Sequence, residues 1–294
     1  MTGTGTASVA LIGTGLIGGS WVLALRQAGC LRGPVSGCGR SVANLETARE
    51  RGIIDSATTD PREAVRGADL VILAVPLGAT GPLLETIRDV LEPHAVITDV
   101  GSAKQTVVAD ARQALGEGAA RFVPGHPIAG TEKTGAAAAF PELFRGRQVI
   151  LTPGDDTAED AVAQVQSLWE AAGARVVRMS AAHHDEVLAA TSHLPHMLAY
   201  SLVDTLSRWS DRDEVFAYAA GGFRDFTRIA SSDPEMWRDI CLANGDALVD
   251  ALDRYMADLA ELREAVRAGD GARLEAVFGH ARLTRERFVA MLES

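Results

Sequence analysis

At 294 residues, 47% hydrophobic and 23% charged, the chain is long enough for two ordinary domains and apolar enough to bury their cores, which excludes disorder as its main state. Its 28 basic residues stand against 39 acidic ones, a net charge of −11, so it gains no counterion-release affinity for nucleic acid or an anionic membrane, and neither is expected as a partner. The apolar runs are short and broken by Gly, Pro or Asp, the first six residues lack a basic n-region, and Cys30, Cys38 and Cys241 have no CxxC spacing; a cytoplasmic protein with reduced, buried thiols is expected.

Residues 1–180 alternate short β-branched runs with helical periodicity. Strands are predicted at 8–13, 34–39, 69–75, 95–99, 121–125, 148–152 and 175–179, with helices such as 16–28 and 81–91 between them. A continuous apolar run such as Leu70-Val71-Ile72-Leu73-Ala74-Val75 suits a strand covered on both faces and paired in parallel. This alternation predicts an α/β fold with a Rossmann-type, doubly wound sheet. Over 181–294 strand signals vanish, and helices are predicted at 183–209, 213–219, 234–268 and 271–292. Asp233-Pro234 reads as an N-cap followed by Pro at the first helical position, and Gly269-Asp270-Gly271 as a break between helices. Helices this long cannot bury their apolar faces alone, so an all-helical second domain shared between two subunits of a homodimer is expected.

The first strand runs into Gly13-Thr14-Gly15-Leu16-Ile17-Gly18, a GxGxxG turn opening an apolar helix. Gly13 permits the tight turn, Gly15 lets the backbone approach a pyrophosphate, and Gly18 lets helix and strand pack closely, so dinucleotide binding is expected. Val75 and Pro76, where a later strand ends, join the cofactor set. At the tip of the second strand, the place of an NAD-type ribose carboxylate falls on Gly39, followed by Arg40 and Ser41. Nothing there repels a 2′-phosphate, and a cation and a hydroxyl are offered, so NADP is slightly favoured over NAD; Arg40 stacking on adenine and tolerating both is the alternative.

Two further loops lie where such folds bind ligands. One is Asp99-Val100-Gly101-Ser102-Ala103-Lys104, the other the Gly/Pro-rich segment 125–135 carrying His126. His126 is suited to exchange a proton with an alcohol being oxidised, and Ser102 to bond the same oxygen; a purely structural loop histidine is the competing reading. The chain has 26 arginines and only two lysines, Lys104 and Lys133, both in these loops, where a compact ammonium differs from a rigid guanidinium. In the helical part, Ser192 and His196 are four apart on one face, with Pro195 expected to kink the helix. No HExxH or CxxC accompanies the histidines, so no metal is expected. Arg228, after Gly221-Gly222, can clamp a carboxylate bidentately or form a surface ion pair.

Taken together, GTGLIGGS, DVGSAK, GHPIAGTEKTG, HHDEVLAATSHLPH and GGFRDFTRIASSDPEMWRDI, in order from residue 11 to 240, resemble the prephenate/arogenate dehydrogenase family of tyrosine biosynthesis. The resemblance implies oxidative decarboxylation of prephenate to 4-hydroxyphenylpyruvate, or of arogenate to tyrosine. It implies His126 as acceptor of the ring hydroxyl proton, Ser102 orienting that hydroxyl and Arg228 on a substrate carboxylate. Ser192, His196, Thr131 and Glu132 would line the pocket, and Trp237 would close it from the helical side. Lys104 or Lys133 would add local cations for a dianionic substrate. The short remainder after the helices leads to the expectation of a monofunctional enzyme, with any tyrosine inhibition acting at or near the active site.

Two rivals remain at the level of sequence. A 3-hydroxyacid or 6-phosphogluconate type of dehydrogenase would place a catalytic lysine early in the helical part, where this chain has none after Lys133. A non-catalytic NADP sensor would keep the glycine turn without needing His126, Ser102 and Arg228 together.

Overall fold

The computed structural model describes residues 8–131 and 133–293. The first part runs β1 (Val9–Ile12), α1 (Leu16–Gln27), β2 (Val35–Cys38), α2 (Val42–Glu50), β3 (Ser56–Thr58), α3 (Pro61–Ala64), β4 (Leu70–Leu73), α4 (Thr80–Ile87), β5 (Val96–Asp99) and α5 (Gln105–Leu115). It continues through β6 (Phe122–Val123), β7 (Gly125–Pro127), β8 (Gln148–Leu151), α6 (Glu159–Ala171) and β9 (Arg175–Arg178). Six strands form one parallel sheet in the order β3-β2-β1-β4-β5-β6, the doubly wound arrangement with its switch point between β1 and β4.

Alternation along β1 shows why the sheet needs two covers. Val9 and Leu11 enter one apolar cluster with Trp21, Val22 and Leu25 of α1 and Trp169 of α6, whereas Ala10 and Ile12 enter the other with Leu84, Val107 and Ala111. Each fully buried Leu or Ile here contributes about 1.5–3 kcal/mol. On the first face Trp21 and Trp169 stack with centroids 3.7 Å apart.

Two strand expectations need correction. Residues 121–125 are not one strand: Phe122–Val123 ends the parallel sheet, and Gly125–Pro127 opens a second, three-stranded sheet, β7-β8-β9. Pro124 has no amide for a ladder, so the chain changes partners there, from Ile97 and Thr98 to an antiparallel pairing with β8. Strands β8 and β9 therefore belong to this second sheet. The short β3, with Ser56 and Ala57 exposed, carries too little apolar signal to be read from sequence.

The helical part comprises α7 (Ala181–Leu188), a π turn (Ala189–His193), α8 (Leu194–Ser207), α9 (Arg212–Ala217), α10 (Gly221–Thr227), α11 (Pro234–Ala243), α12 (Gly245–Ala268) and α13 (Gly271–Glu293). The expected helix at 183–209 is thus interrupted: Pro195 has no N–H for the carbonyl four residues back, and the chain widens into a π turn just before it. The expected helix at 234–268 ends early because Asn244 leaves helical geometry to spend its side chain on Asp185 and His193. Asp233 caps α11 as expected, accepting from the Met236 amide at 2.8 Å.

The chain divides into two compact units, one through Gly245 and one from Asp246. The second is a pair of helices with Tyr255, Met256, Leu259, Phe278 and Met291 exposed. Among the described residues no helix is long and apolar enough to cross a membrane.

Candidate active site

At the switch point lies a cavity of about 670 Å³. Gly13, Thr14, Gly15, Arg40, Ser41, Val75 and Pro76 line it. Gly13 has φ +96°, and a Cβ there would lie 2.0 Å from the Ala74 carbonyl oxygen. A Cβ on Gly18 would meet Leu11 and Ala74 at 2.7 and 2.8 Å, the close helix–strand contact expected of it. Gly15, in contrast, faces open space and caps α1 without any side-chain hydrogen bond. The first amides of α1 are therefore left to a ligand, and the turn fits a pyrophosphate. Leu16 and Ile17 pack their side chains into the core, so what they offer such a ligand is backbone.

Asn44 was not singled out from the sequence, yet it organises this turn. Its amide nitrogen donates to the Thr14 carbonyl and hydroxyl at 3.0 and 2.9 Å, and its oxygen accepts from the Ala136 amide at 2.8 Å. Ser41 caps α2 by accepting from the Asn44 amide. Arg40 is exposed at the cavity and forms no ion pair among the described residues. A Cβ on Gly39 would sit 3.5 Å from Leu45, an ordinary contact, so crowding is not what keeps a carboxylate from this position. Glu235, Arg238 and Asp239 of α11 complete the wall, with Arg238 held by Asp239 at 2.6 Å and Glu235 at 3.4 Å.

His126 sits in β7, 8% exposed, paired in register with Ile150. Burial, then His184, Lys104 and His193, hold its pKa well below the usual histidine value. Its Nδ1 lies 2.8 Å from Nε2 of His184, whose own Nδ1 lies 2.8 Å from the Asp185 carboxylate. Asp185 also accepts from the Lys104 and Gln105 amides, both at 2.8 Å, so it caps α5 from α7. Burial opposes its charge, but the His184 and amide hydrogen bonds hold it below the usual carboxylate range.

Lys104 requires a correction. It is fully buried, its Nζ bonding Asp99 and, at 2.8 Å, the Gly125 carbonyl. Burial lowers its pKa against the pull of Asp99 and Asp185. It ties β5 to β7 beneath His126 and presents no ammonium to a substrate. Lys133 is exposed, its amide donating to the Thr131 hydroxyl at 3.2 Å. Thr131 is exposed as well, and Glu132 lies outside the described residues.

On the helical side, His196 stacks on Trp237, centroids 3.6 Å apart, and donates from Nδ1 to the Ser192 carbonyl at 2.8 Å. Burial lowers its pKa; the Ser192 bond opposes this and Arg228 adds to it. Arg228 is exposed and has no carboxylate partner among the described residues, so the surface ion pair is not formed. Ser192 is half-buried on the π turn, and half-buried Ser102 has no hydrogen-bond partner for its hydroxyl among the described residues.

His193 is a further residue the sequence reading passed over. The Asn244 amide donates both to the Asp185 carbonyl at 2.7 Å and to His193 Nδ1 at 3.1 Å. The proton of neutral His193 therefore sits on Nε2, which is buried without a partner among the described residues. Burial first, against the pull of Asp185, drops its pKa to about 4. Only its place beside His196 in a π turn could have flagged it, and a π turn is invisible in sequence.

Sheet order, glycine turn and cavity define a dinucleotide-binding α/β protein. Comparison narrows this. Residues 22–178 match the nucleotide-binding domain of prephenate dehydrogenase, and residues 180–280 match its dimerization domain. The chain is 43% identical over 265 residues to a cyclohexadienyl dehydrogenase of Zymomonas mobilis, covering 90% of this chain and 89% of that one. It is 39% identical over 288 residues to a prephenate dehydrogenase of Bacillus subtilis, covering 95% and 75%. A crystal structure of prephenate dehydrogenase from A. aeolicus, in complex with hydroxyphenyl propionate and NAD+, superimposes with a TM-score of 0.89 at 36% identity, covering 96% and 98%. The chain belongs to the prephenate dehydrogenase family.

Proposed function

We propose that the protein catalyses the NAD(P)-dependent oxidative decarboxylation of prephenate to 4-hydroxyphenylpyruvate. The observation that carries this is the position of α11. Glu235, Arg238 and Asp239 line the cofactor cavity, while Trp237 of the same helix stacks on His196, so one helix joins the dinucleotide site to the histidine cluster. Membership of the family and the names of the relatives support the same reaction.

The bound nicotinamide supplies the hydride acceptor. His126, kept neutral by burial, takes the proton of the ring hydroxyl at Nε2 while hydride leaves the carbon bearing that hydroxyl. Ser102 orients the hydroxyl. Arg228 clamps a substrate carboxylate, and Ser192, His196, Thr131 and Trp237 enclose the ring and side chain; Glu132, outside the described residues, keeps its expected part in substrate binding. Loss of CO2 restores aromaticity, so the protein need only align, take one proton and hold the carboxylates. Arg40, which forms no ion pair among the described residues, and the uncharged Gly39 support NADP over NAD. The division into a cofactor domain through residue 180 and a helical domain beyond it, a homodimer built on the latter, a cytoplasmic location and tyrosine acting at the active site belong to the same proposal.

The test is the initial rate of reduced-nicotinamide formation with prephenate and with arogenate, each with NADP+ and NAD+. Turnover of prephenate is expected, faster with NADP+. Turnover of arogenate alone would move the substrate to that compound, and no turnover with either would overturn the proposal.

A further inference from the structure

We propose that His184 and Asp185 are positioning residues that fix His126 with its proton on Nδ1 and Nε2 bare, ready to act as the base. This rests on the assignment of His126 as the proton acceptor. With a single proton on His184, the chain of hydrogen bonds admits one direction. The carboxylate of Asp185 only accepts, so Nδ1 of His184 carries a hydrogen. Neutral His184 then has a bare Nε2, which accepts from Nδ1 of His126, 2.8 Å away. What is left on His126 is an Nε2 lone pair.

The surroundings favour this order. His126, His184 and Asp185 are all buried, so no water competes for the chain. Asp185 is held in place by the Lys104 and Gln105 amides at the start of α5, and its backbone carbonyl by Asn244. Burial most, then His184, Lys104 and His193, all disfavour the His126 cation, so the resting ring is neutral and carries a single proton. The pair therefore acts on His126 by fixing its tautomer and ring orientation, through the 2.8 Å bonds from Nδ1 of His126 to His184 and from His184 to the Asp185 carboxylate. Neighbouring sequence positions supply both outer members, yet the pair reaches His126 from 58 residues away, across from α7 to β7.

The test combines kinetics with nitrogen-15 NMR of the histidine rings, with His126→Asn used to assign the signal. The wild-type protein is expected to show His126 protonated at Nδ1 and bare at Nε2. His184→Leu removes the acceptor and is expected to lower kcat about 100-fold, with KM for prephenate within about threefold. His184→Gln places an amide oxygen where Nε2 stood, and is expected to return kcat to within about tenfold of wild type with the His126 tautomer restored. A wild-type His126 protonated at Nε2 overturns the proposal, whatever the variants do, and so does a His184→Leu protein with wild-type kcat. If the wild-type protein fails to oxidise prephenate, the functional reading falls, while the spectrum still decides the tautomer on its own.

Discussion

Replacing Lys104 by Met tests whether this lysine is structural. Its side chain is 0% exposed and Asp99 is 2% exposed. Breaking a buried pair by removing one partner costs about 3–5 kcal/mol, because a charge is left without its counterion. Asp99 would retain the Gly101 and Gly125 amides, at 2.8 and 3.1 Å, which places the loss near the lower end, about 3 kcal/mol. The Gly125 carbonyl also loses its lysine donor, adding about 1 kcal/mol, whereas Met preserves most of the methylene packing. Urea unfolding followed by tryptophan fluorescence measures the sum. Adding Asp99→Asn to Lys104→Met should recover part of it, since the unpaired charge is then gone. A loss below about 1 kcal/mol, or strict additivity of the two changes, would refute the reasoning. A rise in KM for substrate at unchanged stability would return Lys104 to the role first read from the sequence.

Gly39→Asp should reverse cofactor preference: like charges about 5 Å apart at an effective dielectric near 20 repel by about 3 kcal/mol, roughly a hundredfold in the NADP+ to NAD+ ratio of kcat/KM. An unchanged ratio would detach Gly39 from cofactor choice. Arg228→Ala should raise KM for substrate about 10- to 100-fold with little change in kcat, and Arg228→Lys should restore only part, because a point charge replaces a fork. The pH dependence of stability follows from His193, whose pKa falls from 6.5 unfolded to about 4 folded. A depressed histidine gives stability that is present above the unfolded value and is lost as pH falls toward the folded one. Urea unfolding should therefore show a decline of about 3 kcal/mol between pH 6.5 and about 4, flattened in His193→Asn.

The doubly wound sheet was legible because its signals are local: β4 is buried on both faces and reads as an unbroken apolar run, and the glycine turn follows the first strand directly. The residues of the glycine turn and the two strand-end loops were legible for the same reason. What stayed hidden depends on partners far along the chain. Pro124 gives no hint that the next strand joins another sheet. Asn44 reads as an ordinary helix residue until α2 is seen to face Thr14. Lys104 stands in a loop by sequence, yet a carboxylate five residues earlier and a carbonyl on β7 draw it fully inside. His184 and Asp185 read only as part of a helix, since nothing local shows that α7 brings them to His126 on β7.

An acidic protein that takes a dianionic substrate must attract it locally. With a net charge of −11, the long-range field opposes the substrate, so local cations must overcome it. His126, His193 and His196 do not supply them: all three have lowered pKa values, so at neutral pH they contribute hydrogen bonds, not charge. Lys104 is spent on Asp99, and Arg238 is held by Glu235 and Asp239. On the proposed reading the attraction then falls to Arg228, which has no carboxylate partner among the described residues and already acts on His196, with exposed Lys133 as the other local cation. Neutral histidines are also what the chemistry requires, since a base must be unprotonated when the hydroxyl arrives. On the proposed reading, an exposed guanidinium for binding and a buried histidine for proton transfer are separate groups, so that a change in either can be made without removing the other.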